Sequence, residues 1–203
     1  MRRPPRLDPE AAPDHPDALF SRWLGEAEAA EVPGSRSMTL STVDVAGRPA
    51  SRVLILKDLH DGRWSFSSDR TSPKGQDLER CPWAALNFHW PQVGRQVRVR
   101  GRVEDAGWEA AARDVLERSR ESRLETWTGK QSRPLGSRRE LDAALSQGLE
   151  HIDRWPEAVP EHWARYDLLA DEVEFWEADP SRRHARLLYR LGPRGWEQTQ
   201  LWP

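Results

Sequence analysis

The chain has 203 residues, enough for one domain with a substantial core. Its 31 Lys+Arg against 33 Asp+Glu leave a net charge of −2, which excludes a global basic field that would draw nucleic acid or an anionic membrane; any anion site must be local. A single cysteine, Cys81, excludes an internal disulfide and a cysteine-built metal centre, no apolar run approaches the ~20 residues of a membrane helix, and a cytoplasmic location is expected.

Residues 1–15 carry basic groups but no apolar h-region, so no secretory signal is expected. Their Pro, Asp and Arg content predicts a flexible arm ahead of one domain over residues 16–203. PDALFSRWLGEAEAAEV then places Leu19, Phe20, Trp23, Leu24 and Ala27 at helical spacing, and Pro33-Gly34 ends the helix. The period changes to two in SMTLSTVD and PASRVLILKD, which flank the hairpin signal VAGRP. RWSFSSD predicts a third strand after HDGR. SPKGQDLERCP predicts a short helix capped by Ser72. WAALNFHW and RQVRVRGRVED predict two further strands, the second with Val97, Val99 and Val103 opposite Gln96, Arg98, Arg100 and Arg102.

Helical spacing returns from Trp108 to about Arg118, and again in SRRELDAALSQGLEHID, where Leu141, Leu145 and Leu149 form a stripe. ARYDLLADEVEFWEA, RRHARLLYRL and GWEQTQLWP predict the closing strands. Short strands with few helices, no βαβ alternation and no Gly-rich dinucleotide loop predict a mainly antiparallel sheet closed into a barrel, with peripheral helices (α+β). Tryptophan supplies 11 of 17 aromatics, and composition does not sort core rings from interface rings.

Five segments carry candidate chemistry. In SRVLILKD an apolar, buried-looking strand, Val53 to Leu56, lies between Arg52 and Lys57, which fits either two anion contacts or two snorkelling cations. In SFSSDRTSPKG, the hydroxyls of Ser67, Ser68 and Ser72 with Lys74 at a helix start fit either a phosphate cradle or a simple cap. Gln96 fits a ring contact or an exposed side chain. RSRESRLETWTGKQS, with Arg118, Arg120, Ser122, Arg123, Gln131 and Ser132, reads without function as a charged helix end. In SRRHARLLYRL, alternation puts Arg182, His184, Arg186 and Arg190 on one strand face, either a solvated edge or an anion site. The six histidines show no metal-ligand spacing, and no metal is expected.

Taken in order, MTLSTVDVAGRPASRVLILK, SFSSDRTSPKGQDL, RQVRVRGRVE, WTGKQS, VEFWEADPSRRHARLLYR and GWEQTQLWP resemble the pyridoxamine 5′-phosphate oxidase family over roughly Phe20 to Pro203. The resemblance implies an FMN-binding split β-barrel, a homodimer with flavin at the subunit interface, and oxidation with O2 as acceptor. It implies FMN contacts at Arg52, Val53, Leu54, Ile55, Leu56, Lys57, Ser67, Ser68, Ser72, Lys74, Gln96, Gln131, Ser132, Trp176 and Arg186. It implies substrate contacts at Lys57, Arg118, Ser122, Arg182 and His184, with Arg182 and His184 at the reacting carbon and the first three on a substrate phosphate.

The implied reaction converts pyridoxine or pyridoxamine 5′-phosphate to pyridoxal 5′-phosphate with release of H2O2. The chain departs from the pattern at Ser67-Ser68, where the family usually has Tyr-Thr, at Pro73, where it has Arg, and at Asp114, where it has a phosphate-binding tyrosine. Two alternatives follow: a same-scaffold oxidase of phenazine type acting on a reduced tricyclic acid, and a flavin- or heme-binding split-barrel protein without oxidase activity. Retention of Arg118, Ser122, Arg182 and His184 argues against the second.

Overall fold

The computed structural model describes residues 6–203. Its elements, in order, are α1 (Pro16–Ala29), β1 (Ser37–Val43), β2 (Pro49–Ile55), β3 (Asp58–His60), β4 (Arg63–Asp69), α2 (Pro73–Arg80), β5 (Trp83–Trp90) and β6 (Arg95–Asp105). Then follow α3 (Trp108–Leu116), α4 (Arg120–Trp127), α5 (Arg138–Arg154), β7 (Trp163–Glu177), β8 (Ala185–Gly192) and β9 (Gly195–Gln200).

The apolar stripe of α1 is buried as its spacing requires, and Phe20 meets Trp64 and Phe88 edge-on at 4.4 and 4.8 Å. Around it the strands form one antiparallel sheet ordered β2-β1-β5-β6-β7-β4-β3, with β8 and β9 branching from β7. The sheet curls because the chain passes straight from β2 into β3: the Lys57 N–H donates to the Ser65 carbonyl at 2.8 Å, tying the two ends of the strand order together. This is the expected split barrel.

β7 organises everything that follows. One edge pairs with β6 along its length. The other is divided, with Trp163–Leu169 on β4 and Glu172–Glu177 on β8. The β6–β7 ladder slips at Arg100/Gly101, where a Cβ on Gly101 would stand 1.9 Å from the Leu169 carbonyl oxygen, so the close approach demands glycine.

Four local expectations are corrected. A strand at Asp58–His60 was not foreseen, because it is only three residues long. The segment from Arg120 to Trp127 is a helix of its own, capped by Ser119, whose Oγ accepts from the Ser122 N–H. Ser72 stands at the α2 N-terminus but its hydroxyl donates to the Asp69 carbonyl (2.6 Å) and makes no cap bond. Finally, the strand expected to begin at Arg182 begins at Ala185: Arg182 has φ +67°, a left-handed turn conformation, so Arg182 and His184 do not continue the Arg186–Arg190 face.

Part of the arm expected over residues 1–15, namely residues 1–5, lies outside the described residues. From Arg6 onward the chain lies against β7–β9: the Leu7 N–H donates to Glu177 (2.6 Å), and Tyr189 donates its hydroxyl to the Pro13 carbonyl (2.9 Å). Among the described residues no helix is long and apolar enough to cross a membrane.

Candidate functional site

The first half of β7 carries two adjoining clusters of polar groups. In one, β4 brings Ser67 and Ser68 beside the α2 start. Lys74, 6 % exposed, donates to the Ser72 hydroxyl (3.1 Å) and to Gln131 Oε1 (2.5 Å), while the Ser68 hydroxyl donates to the same oxygen at 3.4 Å. Arg52, on β2, donates to Thr42 Oγ1 (2.8 Å), whose own hydroxyl reaches Asp77 (2.7 Å).

Burial, then the neighbouring Arg52 charge, pushes the Lys74 ammonium down to about 8, against the opposing pull of Asp69. Burial also lowers Arg52, opposed by Asp77. The Ser67 hydroxyl is buried without a hydrogen-bond partner. Two partly desolvated cations, an unmatched hydroxyl and a helix N-terminus are the donor set an anionic phosphate requires.

The second cluster surrounds Asp114 on α3. Its Oδ2 accepts from Arg118 (Nε 3.0 Å, a second nitrogen 2.8 Å) and from the Trp163 indole N–H (2.9 Å). Its Oδ1 faces Lys57 at 3.3 Å and Arg165 at 3.5 Å. Burial alone would raise this carboxyl; the Trp163 bond, Arg118 and Lys57 outweigh it and hold Asp114 below the ordinary carboxylate range. The Arg118 guanidinium also lies 4.6 Å from the Trp163 ring centroid. Asp114, Lys57, Arg118 and Arg165, with Ser122, line an open cleft of about 770 Å³.

Five other expected residues lie at the other end of β7. Gln96 pairs with Trp176 across β6–β7 and donates to Asn87 Oδ1 at 2.5 Å. The Trp176 ring stands 4.9 Å from the His184 ring, and His184 Nδ1 accepts the Asp179 N–H at 3.0 Å. Arg186 is held by Glu174 (2.9 Å) and by the Trp202 carbonyl (2.8 Å). Arg182 is exposed in the turn before β8.

From Arg165 to Trp176 the strand advances on the order of 30 Å at its usual rise per residue. Within one chain, therefore, Lys57, Arg118 and Ser122 do not share a pocket with Arg182 and His184.

β2 corrects another expectation. Its run from Val53 to Leu56 is not a buried strand: Val53 and Ile55 are 67 % and 56 % exposed, Leu54 is half-buried, and Leu56 alone is fully covered. β2 is the last strand of the sheet order, paired with β1, and among the described residues nothing covers the face that carries Val53 and Ile55. Gln131 and Ser132 are exposed in the segment after α4, Ser132 at φ +67°.

Sequence reasoning missed Trp163, Arg165 and Asp167. The period-two signal was present, since Arg165 and Asp167 share one face of β7, but nothing local revealed that α3 would place Asp114 against it.

Family models match in two blocks: residues 24–151 match the pyridoxamine 5′-phosphate oxidase family, and residues 163–203 match the C-terminal dimerisation region of pyridoxine 5′-phosphate oxidase. The chain belongs to the pyridoxamine 5′-phosphate oxidase family. It is an oxidoreductase of that type.

It is similar to a pyridoxine/pyridoxamine 5′-phosphate oxidase of Chromobacterium violaceum, 39% identical over 97% of this chain and 92% of the relative. A Pseudomonas syringae pv. syringae relative of the same description is 40% identical over 95% and 90%. Among solved structures, PhzG from Burkholderia lata 383 in complex with tetrahydrophenazine-1-carboxylic acid superposes with TM-score 0.89, at 29% identity and 96% coverage of both chains. A pyridoxamine 5′-phosphate oxidase-related, FMN-binding protein of Nostoc punctiforme shares the fold at TM-score 0.74 and 20% identity, over 93% of this chain and 98% of that one.

Proposed function

We propose that the chain is an FMN-dependent oxidase that works as a homodimer, each site joining the first-half cluster of one chain to the second-half cluster of its partner. The observation that carries this reading is the separation along β7. Two groups of residues, each suited to part of one reaction, lie on the order of 30 Å apart in one chain, and a two-fold pairing of identical chains brings such halves together twice. The exposed outer face of β2 supplies apolar surface for that contact, and the match to a dimerisation region supports it.

In this reading Arg52, Ser67, Ser68, Ser72, Lys74, Gln131 and Ser132 hold the flavin phosphate, whose charge offsets the burial of Lys74 and Arg52. The β2 segment from Val53 to Leu56 would hold the flavin ring, together with the partner's Gln96, the partner's Trp176 and the partner's Arg186. Bound FMN supplies the two-electron acceptor: the substrate's C4′ alcohol or amine becomes an aldehyde, water releasing ammonia from the amine, and O2 is reduced to H2O2.

The protein's part is to bind and orient. Lys57, Arg118 and Ser122 anchor one end of the substrate. Arg182 and His184 hold its ring, and because His184 Nδ1 accepts a backbone N–H, the neutral imidazole keeps its proton on Nε2 as a hydrogen-bond donor.

The substrates suggested by the curated relatives are pyridoxine and pyridoxamine 5′-phosphate, giving pyridoxal 5′-phosphate. A reduced tricyclic acid is a second reading, favoured by the likeness to the Burkholderia lata protein with its bound carboxylic acid. The test is an oxygen-coupled assay on FMN-loaded protein with both classes. Yellow protein that releases FMN on denaturation, with peroxide formed from either class, supports the reading; colourless protein that cannot be reconstituted with FMN sinks it.

A further inference from the structure

The charge of the substrate cleft is unusual for a receptor of a doubly charged anion. Four basic side chains line it: Lys57, Arg113, Arg118 and Arg165. Asp58, Asp114, Glu117 and Asp167 oppose them, so the lining carries no net formal charge with its one histidine neutral. Asp167 is already engaged by the Ser65 hydroxyl at 2.6 Å, and Arg63 stands 3.8 Å away.

Asp114 occupies the centre of the cluster. Its side chain is 3 % exposed, and Lys57, Arg118 and Arg165 all lie within 3.5 Å of its carboxylate. The three cations retain only 29 %, 16 % and 17 % side-chain exposure, so they meet the cleft with part of their donor capacity already turned inward. A carboxylate held in this way is a resident anion. An incoming phosphate dianion shares its cations and is repelled by it at short range, while a carboxylate or an uncharged group is repelled less or not at all.

We propose that Asp114 sets the charge of the substrate end this cleft accepts: a planar heteroaromatic with a carboxylate or no charge there, in preference to one bearing a phosphate dianion. The inference rests on the proposed oxidase function and narrows its substrate.

The test uses a pair of unreactive ligands differing only in the phosphate, 4-deoxypyridoxine 5′-phosphate and 4-deoxypyridoxine, titrated into FMN-loaded protein by calorimetry. The phosphorylated compound is expected to bind no tighter than the other, because the resident carboxylate offsets the cations' pull. In Asp114→Asn, which keeps the shape and removes the charge, the ratio of the two dissociation constants is expected to move by about tenfold or more toward the phosphorylated ligand.

A wild-type preference for the phosphorylated ligand overturns the proposal, as does an unchanged ratio in Asp114→Asn. If that variant does not fold, the wild-type pair decides alone. Protein that takes up FMN and forms peroxide, yet prefers the phosphorylated ligand, loses this inference while the oxidase reading stands; failure to bind FMN or either ligand removes both.

Discussion

Lys74 on α2 donates to Gln131, far along the chain beyond α4, at 2.5 Å, and that bond draws a helix start and a distant exposed loop together at the buried ammonium. Lys74 is pushed down to about 8 there, first by burial and then by Arg52. A bound phosphate would restore the charged form. Flavin binding above pH 8 must therefore take up a proton, and FMN affinity should fall up to about tenfold per pH unit from pH ~8 upward, while below pH ~8 Lys74 contributes no pH dependence. Lys74→Arg, whose guanidinium stays charged, should flatten the profile. Titrations of the FMN-free protein between pH 7 and 9.5 measure this, and an equal slope in both proteins refutes the assignment.

The division of the site along β7 gives a complementation experiment. Arg118→Ala and His184→Ala lie in opposite clusters and should each impair turnover strongly. Mixed and re-paired, half of the dimers are heterodimers, and each of these regains one intact site, so activity should recover to about a quarter of wild type. Arg118→Ala mixed with Lys57→Ala, both from one cluster, should recover none. Recovery is read by the oxygen-coupled assay after co-refolding or co-expression.

Much of this organisation was legible in the residues, and the exceptions share a cause. The stripe of α1 and the valine face of β6 follow from periodicity, which records which side of an element is covered. Periodicity does not record what covers it. Val53 and Ile55 read as buried because they are apolar, yet among the described residues nothing covers their face of β2. Arg182 and His184 read as strand because they alternate in register with Arg186, but the turn at Arg182 interrupts the ladder before Ala185. Asp114 stood out as a charge in an unexpected place; that three cations and an indole converge on it depends on the meeting of α3 with β7, which no local pattern encodes.

Gly101 makes the β6–β7 slip possible, since any side chain there drives a Cβ into the Leu169 carbonyl. Gly101→Ala should lower stability by about 2–3 kcal/mol, because the clash is with backbone at the centre of the sheet and cannot be relieved by a side-chain rotation. Thermal or urea unfolding measures it. Gly47→Ala is the contrasting case: its Cβ would meet nothing within 4 Å, and its cost comes only from φ +77° in the hairpin turn, so it should be the smaller of the two.

Glu174 links β6 to β8 by accepting from Arg98 and from Arg186, the latter at 2.9 Å. Burial disfavours its charge, but the bonds from Arg186 and Arg98 prevail and hold the carboxyl below 4.5, its ordinary value. A carboxyl lowered by folding adds stability that is present above the unfolded value and is lost as pH falls through the folded one. The protein should therefore lose melting temperature progressively below pH ~4.5, with Asp114 contributing at the lower end of the same window. Glu174→Gln keeps an acceptor and removes the titration. It should be less stable than wild type at pH 7 and lose less on going from pH 5 to pH 3, so the two melting curves converge in acid. Parallel curves across that range would mean that Glu174 serves β8 by packing and hydrogen bonding alone, with no contribution from its charge.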